Sequence, residues 1–336
     1  MEDLNTSAVK TQVVIIFPYH GFKTEKQRKN LFWKMVDTCE RVEATQGLLP
    51  IVVLNKDTEN SGKANDFIQD PRTGENYGNT IKPKIKVHRT WSVDTCQMWL
   101  SGWGYAFDDI NLSDNDRIVQ LPGDIDFVQN EDDFFQHLDT FISLPDKDIV
   151  IGNFKSEDNS SAKELIDLYG TLALMANWFP DIAHGLRLKK LIKPRSEFLN
   201  IRVKTLKELT QYRKFAYEQT LNMLIRSWDP NKPTNSQKKG DWRYSIKPYD
   251  LGVLKDDSNF REYTDCLDQI ERTERMLKLL WREIHTDKNK VVHEQEFIDL
   301  YDRLDRRSTS IRENSRIILR NMLGLSSSPV ESIEEY

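Results

Sequence analysis

The chain has 336 residues with a net charge of −5, 38% hydrophobic and 30% charged; that length supports one large domain or two ordinary ones, and the balance gives no basic field for nucleic acid. Cys39, Cys96 and Cys266 match no zinc spacing and no disulfide framework, which suits a reducing compartment. No apolar run approaches the roughly 20 residues needed to span a bilayer, and Met1 to Gln12 lacks the apolar core of a signal peptide, so a cytoplasmic protein without a transmembrane segment is expected.

Val13 to Phe17 is a β-branched run ending at Pro18, the pattern of a buried first strand, with Tyr19-His20-Gly21 in the loop beyond. Glu25 to Glu43 is helical, with Leu31, Met35, Val36, Cys39 and Val42 on one face. Pro50 to Leu54 is a second buried strand, followed by Asn55-Lys56-Asp57. This β-α-β order predicts a parallel α/β sheet. Residues 58–83 read as a long polar loop. Ile85 to His88 forms a short strand ending at Arg89, and Asp94 to Phe107 a helix whose Ser101, Gly102, Gly104 and Ala106 suggest close packing.

Arg117 to Leu121 is the central apolar run, and it ends in Gly123-Asp124-Ile125-Asp126. Asp132 to Phe141 is helical, Ile149 to Phe154 a strand, and Ala162 to Trp178 a helix. Glu197 to Arg202 reads as an edge strand, Val203 to Leu209 and Ala216 to Trp228 as helices, residues 229–241 as an exposed loop, and Tyr244 to Pro248 as a weak strand. Asn259 to Met322 is charged and helical, with sparse stripes at Leu267, Ile270, Met276, Leu277 and Leu280, then Phe297, Leu300, Tyr301 and Leu304. The expected organisation is a domain over 12–255, with halves at 12–128 and 129–255, a helical region over 256–325, and tails at 1–11 and 326–336.

Ligands of open α/β sheets sit beyond the carboxyl ends of the strands. Asp124 and Asp126 would stand there, and Gly123 lets the chain turn so that both converge on magnesium or manganese carrying a diphosphate. The competing reading is a solvated acidic turn. Pro18, Tyr19 and His20 end the first strand: Tyr19 is placed to stack on a base and His20 to reach a phosphate. Lys56, Asp57 and Arg89 end two further strands as diphosphate, base or ribose contacts, with a solvated surface as the alternative. Asn153 and Lys155 end a strand on the same side as candidate acceptor contacts. Glu197 is a second acceptor candidate, and Glu218 is either a general base or a carboxylate favoured by a helix dipole. Phosphate-loop, dinucleotide-fingerprint and Gly-x-Ser-x-Gly patterns are missing from the sequence.

With these parts placed, the chain resembles the nucleotide-sugar glycosyltransferases of the GT-A fold, above all the mannosylglycerate synthase group. The residues that carry the likeness are Phe17-Pro18-Tyr19, Gly102-Trp103-Gly104-Tyr105-Ala106, Gly123-Asp124-Ile125-Asp126, Val150 to Phe154, Trp178-Phe179-Pro180, Pro194 to Arg202 and Tyr217 to Thr220, in family order over residues 12–250. The resemblance implies a Rossmann-like, mixed but mainly parallel sheet flanked by helices, with a helical C-terminal extension. It implies a hexosyltransferase that moves sugar from a nucleotide-diphosphate donor, GDP-mannose-like, to a small hydroxyl acceptor. Asp124 and Asp126 would hold the metal, and Asp250 would stand where the family has its third ligand. Two other readings stay open: a non-catalytic binding or scaffold protein that self-associates through its C-terminal helices, and a sugar nucleotidyltransferase.

Overall fold

The computed structural model describes residues 9–18, 24–55, 86–92, 94–108, 110–124, 131–144, 146–156, 166–211, 219–232, 240–254, 263–288 and 294–322. The protein is α/β. Nine strands are present among these residues: β1 (Thr11–Ile16), β2 (Ile51–Asn55), β3 (Lys86–Thr90), β4 (Arg117–Pro122), β5 (Ile149–Ser156), β6 (Leu199–Arg202), β7 (Trp228–Asp229), β8 (Asp241–Trp242) and β9 (Ile246–Leu254). Seven form one mixed sheet in the order β3-β2-β1-β4-β6-β5-β9, and β7 pairs with β8 in a separate ribbon. Within the large sheet only β6 runs antiparallel to its neighbours, β4 and β5; the other four pairings are parallel. The arrangement is compatible with a Rossmann-like fold.

The helices are α1 (Glu25–Gln46), α2 (Thr95–Asp108), α3 (Glu131–Ile142), α4 (Ala173–Trp178), α5 (Pro180–Leu188), α6 (Val203–Thr210), α7 (Gln219–Arg226), α8 (Tyr263–Lys288) and α9 (Glu294–Met322). Helix α1 starts where the Thr24 hydroxyl accepts a hydrogen bond from the Gln27 amide. It runs past the expected end at Glu43 to Gly47, whose φ of 65° closes the last turn by donating to the Glu43 carbonyl. One face of the sheet, through Val13, Ile15, Val52, Leu54, Val119, Leu121 and Val150, packs against apolar residues of α1 and α3 in a single core. The opposite face receives α2, where Gly102 lies against Val14 and Val53. A side chain there would clash, since a Cβ would stand 2.7 Å from a Val53 methyl.

The chain divides into two compact units. Met1–Glu157 with His184–Ser258 carries the sheet, and Asp158–Ala183 groups with Asn259–Tyr336. The sequence alone places one break near 255; the second unit also takes in Asp158–Ala183. Its first described element is a π-helix over Ile166–Leu172, where periodicity predicts an α-helix. Gly170 within it faces Ile270 of α8, leaving 2.8 Å for a Cβ, so the winding is fitted to its neighbour. Trp178 stacks edge-on to Trp281 at 5.9 Å and donates its indole N–H to the Ser308 hydroxyl at 2.6 Å. The expected α9 stripe needs correction: Leu300 is exposed, and the small residues Ser308 and Ser315 are buried instead, because they allow close approach.

Candidate functional site at the carboxyl edge of the sheet

Strands β2 and β3 lie on one side of β1 and β4 on the other, so the chain reverses its direction of winding between β1 and β4. In an open α/β sheet this is the crevice where ligands bind. The two strand ends are locked together there. The Gly123 amide donates to the Ile16 carbonyl at 2.8 Å. A Cβ on Gly123 would stand 2.6 Å from that oxygen and 3.0 Å from the Met35 sulfur, so only glycine fits. The next residue, Asp124, is half-buried. Pairing of Ile16 with Pro122, continued by two residues, places Pro18 level with Asp124. Pro18 and Asp124 therefore stand at the same crevice.

Tyr19, His20, Lys56, Asp57, Asp126 and Glu218 lie outside the described residues, as does the expected loop at 58–83. Among the described residues no three His, Cys, Asp or Glu side chains gather as a metal-binding group. Asp124 is thus the described donor at the crevice. Asp250 does not join it: β9 is three strands from β4, about 14 Å across at ~4.8 Å per strand. Asp250 is exposed, and its Oδ1 accepts from the Gly252 amide at 2.9 Å, closing a turn in which Gly252 has φ of 81°.

Because β6 is reversed, its beginning lies at the same edge as the ends of β5 and β9. Asn153, Lys155, Glu197 and Asp250 are therefore strung along the edge beyond Asp124. Glu197 is half-buried, and its carbonyl accepts from Gln120 Nε2 at 3.2 Å. The Ser196 carbonyl accepts from the Thr220 hydroxyl at 2.5 Å, which fixes the start of α7 on this segment. Gly152 permits the junction: a Cβ there would lie 2.5 Å from both Phe198 and Leu251. Lys155 is exposed at the rim, as is Arg89 on β3.

Asn153 has a different employment from the one its sequence position suggests. Its Nδ2 donates to the Lys190 carbonyl at 2.8 Å, and its Oδ1 accepts from the Ile192 and Lys193 amides at 3.1 and 3.3 Å. The amide is thereby committed to holding the turn that leads into residues 193–197. Lys193 itself is buried, its ammonium 5.1 Å from the centre of the Phe154 ring. Sequence reasoning passed over Gln120, Thr220 and Lys193. Gln120 was detectable as the one polar residue inside the apolar run Ile118 to Leu121.

Two carboxyls held below their usual range lie at the opposite edge. Burial works to raise Asp116, but amide donors from Lys10 and Ser113, at 2.8 and 2.7 Å, hold it below the usual range. Burial likewise opposes the Ser245 and Arg202 contacts that lower Asp148. Nearby, burial brings Arg117 down to about 10 while its guanidinium ties Asn200 to the Lys147 carbonyl. This edge is a structural clamp.

Comparison with protein-family models finds no match, and comparison with curated proteins likewise finds none.

Proposed function

We propose that the protein is a metal-dependent glycosyltransferase of the GT-A type, moving a sugar from a nucleotide-diphosphate donor to a small hydroxyl acceptor. The observation that carries this reading is the placement of Asp124 at the crevice between β1 and β4, one residue beyond a glycine whose added Cβ would press on the Ile16 carbonyl. An acidic group there suits magnesium or manganese bridging to a diphosphate, with Asp126 as its expected companion. The ion, when bound, would offset the charge that builds on the leaving nucleotide.

The protein's own residues would divide the remaining work along the edge. Pro18 and Arg89 border the donor side. Lys155 and Glu197 border the acceptor side, and Asn153 positions the segment that presents Glu197. Glu218 is the proposed base or acceptor clamp, one residue before α7. A cytoplasmic location fits the three buried, unbridged cysteines, and no described helix is long and apolar enough to cross a membrane.

The test is binding and slow hydrolysis of a panel of nucleotide sugars with manganese. Wild type should bind and hydrolyse at least one donor, and Asp124→Ala and Asp126→Ala should each lose both activities. Failure of the wild type to bind any donor, or binding indifferent to manganese, overturns the enzyme reading. Full activity in Asp124→Ala overturns the site.

A further inference from the structure

We propose that Gln120 is a positioning residue for transfer, holding the acceptor segment at 196–197 in a fixed place relative to Asp124, an inference that rests on the glycosyltransferase reading above. Gln120 is fully buried inside the apolar run 118–121 of β4. Its Nε2 donates to the Glu197 carbonyl at 3.2 Å, while its Oε1 has no hydrogen-bond partner among the described residues. A buried acceptor left in that state costs stability, and an aliphatic residue at this position would avoid the cost. Residues that break a rule of the core in this way concentrate where function requires them.

The sheet sets the direction of this contact. Val119 and Leu121 enter the core beneath α1 and α3, so Gln120 points to the opposite face. It pairs with Leu199 on β6, yet its amide reaches Glu197, two residues nearer the edge at which Asp124 stands. Three successive carbonyls are tied down there. Ser196 accepts from the Thr220 hydroxyl at 2.5 Å, Glu197 from Gln120, and Phe198 from the Gly152 amide at 2.9 Å. The first tie runs to α7 and the third to β5. The second runs to β4, four residues before Asp124.

One side chain thus connects the strand that leads to Asp124 with the segment on the acceptor side. A diphosphate beside Asp124 and an acceptor hydroxyl at 196–197 must bring their reacting atoms into line, and a displacement of about 1 Å costs rate without a matching loss of binding. Removing the Gln120 amide releases the segment on its β4 side only. The nucleotide side keeps its geometry while the approach of the acceptor loosens. Gln120→Glu separates this role from packing, because it keeps the shape of the side chain. Burial raises the pKa of such a carboxyl, and it can donate to the Glu197 carbonyl only while protonated.

The experiment uses the full chain in manganese chloride with ADP-glucose, GDP-mannose, UDP-glucose and UDP-galactose, water standing in for the acceptor hydroxyl. Hydrolysis gives kcat, calorimetry gives the Kd of the matching nucleoside diphosphate, and urea melts give stability. Gln120→Met should lower kcat roughly 10-fold or more, hold the Kd within about 2-fold, and keep the urea midpoint of the wild type. Gln120→Glu should regain kcat relative to the wild type as pH falls, while Gln120→Met shows no such recovery. Full kcat in Gln120→Met overturns the positioning role and leaves the site standing. A loss of affinity equal to the loss of kcat, or a Gln120→Glu pH profile parallel to that of the wild type, also overturns it. A wild type that hydrolyses none of these sugar nucleotides overturns the glycosyltransferase reading, and the inference with it.

Discussion

The Gly123 amide and the Ile16 carbonyl are joined at 2.8 Å, and the same carbonyl oxygen occupies the space a Gly123 side chain would need. This one contact closes the crevice between β1 and β4 and sets where Asp124 stands. The acidic residue is positioned by backbone geometry, with glycine as its precondition.

Gly123→Ala should therefore destabilise the protein by about 1–3 kcal/mol, because the clash is with backbone and cannot be relieved by a rotamer change. Gly104→Ala is the counterpart in α2. No atom lies within 4 Å of its added Cβ, so the helix gains about 0.5–1 kcal/mol. Urea unfolding midpoints should move in opposite directions for the two variants. Donor binding, if measured, should fall only for the first.

Asn153 offers a second test, because its amide bridges three backbone groups in the turn at 190–193. Asn153→Ala should cost about 1–3 kcal/mol through the polar groups left behind. Asn153→Asp retains the acceptor for Ile192 and Lys193 but loses the donor to Lys190, so it should fall between the two. Thermal unfolding ranks the series. A ranking with Asp below Ala would show that the acceptor contacts contribute nothing.

The same turn carries Lys190 at φ of 58°, a left-handed conformation unusual for a residue with a Cβ. Its amide donates to the Arg187 carbonyl and the Leu191 amide to the Leu186 carbonyl, the double closure of a helix C-terminus that glycine favours. Lys190→Gly should stabilise the protein by up to about 1 kcal/mol, whereas Lys190→Val should destabilise it. Denaturant melts distinguish the two directions.

The strands at the centre were readable because parallel strands buried on both faces become continuous apolar runs, as in Val13 to Phe17 and Pro50 to Leu54. Strand β9 was readable only at its start. Pro248 and Gly252 break the pattern, yet the strand continues to Leu254 at the sheet margin, where such residues are tolerated. Helix α5 announces itself only by Pro180 and Asp181 at its first turn, and β7 and β8 are two residues each, held by the Trp228–Trp242 contact. At the crevice, the position of Pro18 and Asp124 at the ends of β1 and β4 was legible from the strand ends. The separation of Asp250 was not, since it depends on β6 and β5 being inserted between β4 and β9 through long-range pairing. The engagement of Asn153 was hidden for the same reason: its partners lie nearly forty residues away.

Asp148 sets an acid limit on stability. Burial works to raise its pKa, but its carboxylate accepts the Ser245 amide at 2.9 Å and hydroxyl at 2.8 Å, and these donors together with the Arg202 and Arg117 charges outweigh burial, so the folded value lies below the unfolded one. A depressed carboxyl contributes stability that is present above the unfolded value near pH 4 and is lost as pH falls through the folded value. Asp148→Asn should cost about 1–2 kcal/mol at pH 7. The gap between variant and wild type should close progressively below pH ~4. Stability measured across pH 2–7 checks this, and a gap that widens on acidification contradicts it.

In the helical unit, Glu274 is 2% exposed and accepts from Arg312 Nη1 at 3.0 Å, with the Lys278 ammonium 2.9 Å from its other oxygen. Lys278 also contacts Asp305. The members of this network differ in access to water: the carboxylate is sealed, while the Lys278 and Arg312 side chains are 23% and 30% exposed. Removing Glu274 therefore frees two cations that can rehydrate by small rotations. Removing Arg312 strands part of a buried negative charge that cannot. Arg312→Ala should cost about 2–3 kcal/mol, below the full range for breaking a sealed pair because its guanidinium is partly screened. Glu274→Gln should cost less, about 1–2 kcal/mol. Helical circular dichroism during denaturation gives the order, and a larger cost for Glu274→Gln would mean that the cations, not the carboxylate, are the poorly solvated partners.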